Sequence, residues 1–168
     1  MFSAYSPLTR LLSYAGEIRG RKKLQKMVFI AQSLGYPFAE PFHLHVWGPY
    51  SEVLAVKLKE MTEWGFAREE ALPGPAGNST YVYRPGPNAH RVMADELPGL
   101  AELVACLNAQ DATFLEGVAT ALYLQSQGQR PEQVSAALVR LKPDKFPDEG
   151  RVAPVLDFAE SLSSYRAH

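Results

Sequence analysis

The residues equipped to bind or react fall in two short stretches. The first, Arg19-Gly-Arg21-Lys22-Lys23-Leu-Gln-Lys26, sets five cations within eight residues. A cluster of that kind attracts phosphate or carboxylate groups and marks contact with nucleic acid or with an acidic surface. The second, His43-Leu-His45-Val-Trp47-Gly48-Pro49-Tyr50-Ser51, sets two imidazoles two positions apart, beside two aromatic rings and a hydroxyl. That spacing puts both imidazoles on one face of a strand, as a metal-binding pair or small-molecule sensor would require. Zinc takes three or four ligands, and the other histidines, His90 and His168, have no further ligand types near them. His43 and His45 therefore read as hydrogen-bonded or surface side chains, and no metal or cofactor is expected. Ser51 has no base near it in the sequence and reads as a helix cap. No Gly-rich phosphate loop, H-E-x-x-H or G-x-S-x-G motif is present, and the acid pairs Asp95-Glu96 and Asp148-Glu149 diverge on a helix. No catalytic residue is expected, so a binding protein is favoured over an enzyme.

The 168 residues carry a net charge of −1, distributed unevenly. The first thirty hold six Arg and Lys against the single acid Glu17, and the remainder nets −6. Any anionic partner would meet the first thirty residues. Cys106 is the only cysteine, which excludes an internal disulfide framework and suits a reducing cytoplasm. Its apolar neighbours Leu103, Val104 and Leu107 make it a small buried hydrophobe. No apolar run is long enough to span a membrane, and the N-terminus lacks a positive region ahead of an apolar stretch. The expected location is the cytoplasm.

The elements that must position these residues follow from periodicity. Pro7, Leu8, Leu11, Leu12 and Ala15 predict a short first helix. Leu24, Val28, Ala31 and Leu34 predict a second from Lys22, stopped by Gly35 and Pro37. Phe42 to Trp47 alternates as a half-buried strand with Phe42, Leu44 and Val46 on one face, and Gly48-Pro49 breaks it. Ser51 then caps a helix whose apolar side carries Leu54, Leu58 and Met61 with Val53 beside them, ended by Gly65. Residues 67–72 and 80–84 predict two strands around a Pro- and Gly-rich tip. Asn88 begins a predicted helix carrying Val92, Met93 and Leu97. That order of helices and ribbon matches a winged helix, with the ribbon as wing. Beyond Pro98 four amphipathic helices follow, at about 100–107, from Asp111, from Pro131, and at about 150–163. Such helices must pack on the first part, on each other or on a second copy.

The stretches Lys23-Leu24-Gln25-Lys26 and Trp47-Gly48-Pro49-Tyr50 resemble the YwgA-like proteins, a bacterial family with no assigned activity, over about residues 20–66. More distantly they resemble the Panacea domain of SocA-like antitoxins, which implies a non-enzymatic adaptor that binds a protein partner.

On a helix Lys22, Lys26 and Phe29 share a side while Lys23 lies about 100° away, so the charges wrap the helix start. Cations there oppose the helix dipole by some tenths of a kcal/mol. The cluster is either a solvated lead-in or an anion-binding face. The helix after the strand, where a winged helix reads DNA, carries Glu52, Glu60 and Glu63 alongside Lys57 and Lys59, which disfavours base readout. The expected protein is thus mainly α with a small β component: a winged-helix-like domain over 1–97, with a helical extension over 98–168 packed on it and offering a face for dimerisation. Its expected role is that of a regulator or antitoxin-like adaptor. It would meet a protein partner, or alternatively DNA, through Arg19, Arg21, Lys22, Lys23, Lys26 and the Trp47-Gly48-Pro49-Tyr50-Ser51 corner.

Overall fold

A computed structural model describes residues 3–46 and 48–168. The protein is mainly helical, and three of its helices begin where Ser51, Asp111 and Asp148 supply side-chain caps. Helix α1 (Ser6–Ala15) starts with a proline in its first turn. Helix α2 (Arg21–Ser33) follows a two-residue strand, β1 (Ile18–Arg19). A small hairpin of β2 (His43–His45) and β3 (Gly48–Tyr50) leads into α3 (Glu52–Glu63), where the Ser51 hydroxyl accepts from the Leu54 N–H. The long ribbon is β4 (Ala67–Pro73) and β5 (Ser79–Pro85). Four helices complete the chain: α4 (Leu100–Asn108), α5 (Ala112–Ser126), α6 (Pro131–Leu141) and α7 (Glu149–Ser161). Asp111 and Asp148 cap α5 and α7 through their carboxylates.

Two sheets form. One is antiparallel in the order β1-β5-β4, with Ile18 opposite Tyr83 and the ribbon in register from Ala67 opposite Pro85 to Pro73 opposite Ser79. The other is the β2-β3 hairpin, with His43 opposite Tyr50 and His45 opposite Gly48. A single apolar cluster runs from Leu8 through Met27, Leu54 and Met61 to Val118, Leu138 and Leu162. Helix α5 lies against α2 and α4 against α1, so the helices after Pro98 close the core begun by the first part.

Several local expectations are corrected. The stretch after Asn88 forms one turn, Ala89–Arg91, instead of a helix through Leu97. Helix α1 claims its backbone: Arg10 donates to the Ala94 and Asp95 carbonyls, and the Ala94 N–H donates to Ser6. Gly48-Pro49 forms the partner strand β3 where a simple break was expected. Of the face expected to be buried, Phe42 is half-buried against Phe29, whereas Leu44 is exposed and Val46 is 84% exposed at the hairpin turn. The hairpin meets the body through β3, whose Gly48 and Pro49 are buried against α2 and α5, and not through Leu44 and Val46. Val53, expected beside the core stripe of α3, faces outward. Cys106 is half-buried against the core. Strand β1, too short for periodicity, is set by pairing with β5.

Because α2 and α1 bury their apolar sides on α5 and α4, a fragment of residues 1–97 is expected to lack a cooperative unfolding transition. Calorimetry of that fragment beside the full chain checks this, and a sharp transition in the fragment would contradict it.

Candidate functional site

The two stretches singled out by their chemistry meet at the start of α2. Gln25 is buried, and its amide makes two bonds to one residue: Nε2 donates to the Ser51 carbonyl (2.9 Å), and Oε1 accepts from the Ser51 N–H (3.0 Å). Lys26 is 0% exposed, and its ammonium donates to the Pro49 carbonyl (2.8 Å). Helix α2 thus holds the Gly48–Ser51 corner by side chains that satisfy backbone groups no strand reaches. From the other side α5 presses on the corner. Gly48 has φ +81°, and a Cβ there would stand 2.8 Å from Thr120 Oγ1 and 3.3 Å from Glu116 Cγ. Only glycine fits both the conformation and the gap.

The remaining basic residues are engaged as well. Lys23 donates to the Asn108 carbonyl (2.7 Å), at the C-terminal end of α4, where a helix dipole favours a cation. Burial pushes its amine below the usual lysine range. Arg19 pairs with Glu17 (2.6 Å). The Arg21 guanidinium lies 3.5 Å above the Tyr81 ring and donates to the Tyr83 hydroxyl (3.3 Å). Lys22 is exposed on the first turn. The expectation of a positive rim turned to solvent is therefore corrected at Lys26, which points into the protein. The dipole cost of a basic helix start is offset within the chain. Trp47, expected at the corner, lies outside the described residues.

Beside the corner, α2, α3 and the ribbon bound a cleft of about 400 Å³, lined by Arg21, Gln25, Tyr50, Lys59, Glu69 and Tyr83 among others. Burial, with Glu69 beside it, holds the Tyr83 hydroxyl far above its ordinary range, so it stays protonated as a neutral hydrogen-bonding group. The cleft brings cationic, anionic and hydroxyl groups together. His45 contacts Glu52 (3.2 Å) and the edge of Tyr50, and His43 is exposed. Among the described residues no group of three or more His, Cys, Asp or Glu could hold a metal ion, and no helix is long and apolar enough to cross a membrane.

On the far side of the corner, buried Glu116 accepts from Lys145 (2.7 Å) and Lys142 (3.1 Å) through the same oxygen. Burial works against its ionisation, but those two ammoniums outweigh it and hold the carboxyl below its usual range. Sequence reasoning passed over this network. Its signal was a glutamate within the apolar string Phe114-Leu115-Glu116-Gly117-Val118.

Across 125 aligned residues the chain is 35% identical to the uncharacterized protein YwgA of Bacillus subtilis strain 168, an alignment covering 73% of this chain and 75% of that protein. The chain belongs to the YwgA-like family. No family profile matches it, and no solved structure does. In this YwgA-like chain the two motifs of the sequence are one structural unit: Gln25 and Lys26 supply the donors and acceptors, and Gly48 to Ser51 supply the backbone they hold.

Burial is the main reason the Lys26 amine is lowered from 10.5 to about 8; Glu116 partly restores it, and Lys142, Lys22 and Lys145 lower it further. Between those values the unfolded chain keeps a proton that the folded protein has released, so stability rises with pH. Relative to Lys26→Met, the wild-type unfolding free energy is expected to gain about 2 kcal/mol from pH 8 to pH 10. Urea titrations at a series of pH values test this, and a constant difference would contradict it. Gly48→Ala is expected to cost about 1–3 kcal/mol in the same assay, through backbone strain and the clash with Thr120.

Proposed function

We propose that this chain is a non-enzymatic binding protein, a regulator or antitoxin-like adaptor whose partner is another protein. The observation that carries the reading is the outward face of α3. Val53 and Val56 are 45% and 56% exposed there, one turn apart, with Glu52, Lys59 and Glu63 also exposed on that side. Exposed valines with two carboxylates and one lysine around them suit a protein surface that is apolar at its centre and mainly basic at its edge. The Gly48–Ser51 corner fixes where this face begins, because Ser51 is both the residue held by Gln25 and the cap of α3.

The winged-helix reading of residues 1–97 draws support from the order α1, β1, α2, α3, β4, β5, into which the β2-β3 hairpin is inserted ahead of α3, and from the sheet order β1-β5-β4. DNA binding is the weaker use of that topology. The helix placed to enter a major groove presents acids and valines beside Lys59, and Arg19, Lys23 and Lys26 are engaged within the chain, which leaves few charges for phosphates.

A Val53→Asp/Val56→Asp variant separates the two readings, since both positions face solvent and the core is untouched. Wild-type protein is expected to retain a basic-rimmed partner from nuclease-treated extract, the variant is expected to lose it, and neither is expected to retard duplex DNA at low salt. Retardation of random duplex by both, or the same captured protein with both, would contradict the proposal.

A further inference from the structure

We propose that the groove between the β2-β3 hairpin and the α5–α6 side of the molecule binds a small aliphatic carboxylate: an alkyl chain on the apolar lips, with its carboxylate at Lys142. The groove has a volume of about 470 Å³ and is lined by Leu44, His45, Val46, Thr120, Leu141 and Lys142. That lies within the range of roughly 300–1,000 Å³ found for small-molecule sites. The site is separate from the outward face of α3 and does not depend on a protein partner binding there.

Charge is the first argument. Lys26, Lys142 and Lys145 converge behind the groove, and among the described residues the carboxylate they share is Glu116. Lys26 and Lys142 are both more than nine-tenths buried. A buried excess of positive charge is costly when uncompensated, and an anion from solvent would relieve it. His45 supplies no further carboxylate to the cluster, because its own partner Glu52 is largely exposed.

The donors left over define the head group. The Lys142 ammonium has three N–H bonds. One goes to the Val46 carbonyl (2.6 Å) and one to Glu116 (3.1 Å), leaving one for the groove it lines. The Thr120 hydroxyl already donates to the Glu116 carbonyl (2.8 Å) and can only accept. A single strong cationic donor suits a monoanionic carboxylate, whereas phosphate is ordinarily held by several donors together.

The walls define the rest of the ligand. Leu44, Val46 and Leu141 are 38%, 84% and 50% exposed and form the lips. Isolated exposed aliphatic residues are common, but three around one cationic floor make an amphipathic receptor. Covering them with an alkyl chain removes apolar surface on both sides from water.

Calorimetric titration of the full chain with sodium decanoate, below its micelle concentration, tests the proposal. Saturable one-to-one binding is expected, with no binding of decylamine. Leu141→Glu changes an exposed lip residue, keeps the fold, and is expected to weaken decanoate at least tenfold by repelling the carboxylate. Lys142→Met is expected to abolish binding; should that variant fail to fold by circular dichroism, the Leu141→Glu result decides. The proposal is overturned by any of four results: no decanoate binding, equal binding of decylamine, unchanged affinity in Leu141→Glu, or binding of a leucine-ended peptide in place of decanoate.

Discussion

Backbone groups in the Gly48–Ser51 corner lie where neither water nor a long strand can satisfy them. The amide of Gln25 therefore takes both the N–H and the carbonyl of Ser51, and the ammonium of Lys26 takes the carbonyl of Pro49. Leaving a buried polar group without a partner costs about 1–3 kcal/mol, so three such bonds at one corner amount to a strong local constraint. Everything around the corner inherits its position from them. Ser51 is held at the point where it caps α3, which sets the direction of that helix and the wall it contributes to the cleft. Gly48 is held against α5 tightly enough that no side chain fits. The hairpin on the other side is tied down by Lys142 through the Val46 carbonyl.

This arrangement changes how a basic stretch is read. Five cations within eight residues suggest a surface that grips an anion, yet each long side chain has an apolar stem that can carry its charge inward or along the protein. Here Lys26 goes in, Lys23 crosses to the end of α4, and Arg21 lies flat on Tyr81. Their acceptors are mostly backbone carbonyls and aromatic faces, which carry no formal charge. The positive charge is therefore held in place without being cancelled, most of all around Lys26, where three other ammoniums and one carboxylate share the neighbourhood.

Helical periodicity made the fold broadly legible. The stripes of α2 and α3, the Ser51 and Asp111 caps and the broken tip between β4 and β5 all follow from local rules and are found where those rules put them. Two of the misses have the same kind of cause, a partner distant in sequence. The stretch after Asn88 gives up its helix because Arg10 and Ser6 take its backbone groups, more than eighty residues away in the chain. Strand β1 exists only because β5 is beside it. At the candidate site the residue types were legible and their directions were not. Lys22 and Lys26 share a helical side, but one meets solvent at the helix start and the other meets the corner and α5. Glu116 was visible as a lone acid in an apolar string, and its role came from Lys142 and Lys145 in the segment after α6.

The central claim, that the two family motifs are one clamp, is tested most directly by hydrogen exchange at the Ser51 amide. In the wild-type protein that N–H, bonded to Gln25 inside the structure, is expected to exchange as slowly as the core amides of α2, and Gln25→Ala is expected to release it while the α2 amides stay protected. Fast exchange of the Ser51 amide in the wild-type protein, at the rate of the exposed ribbon tip, would contradict the account.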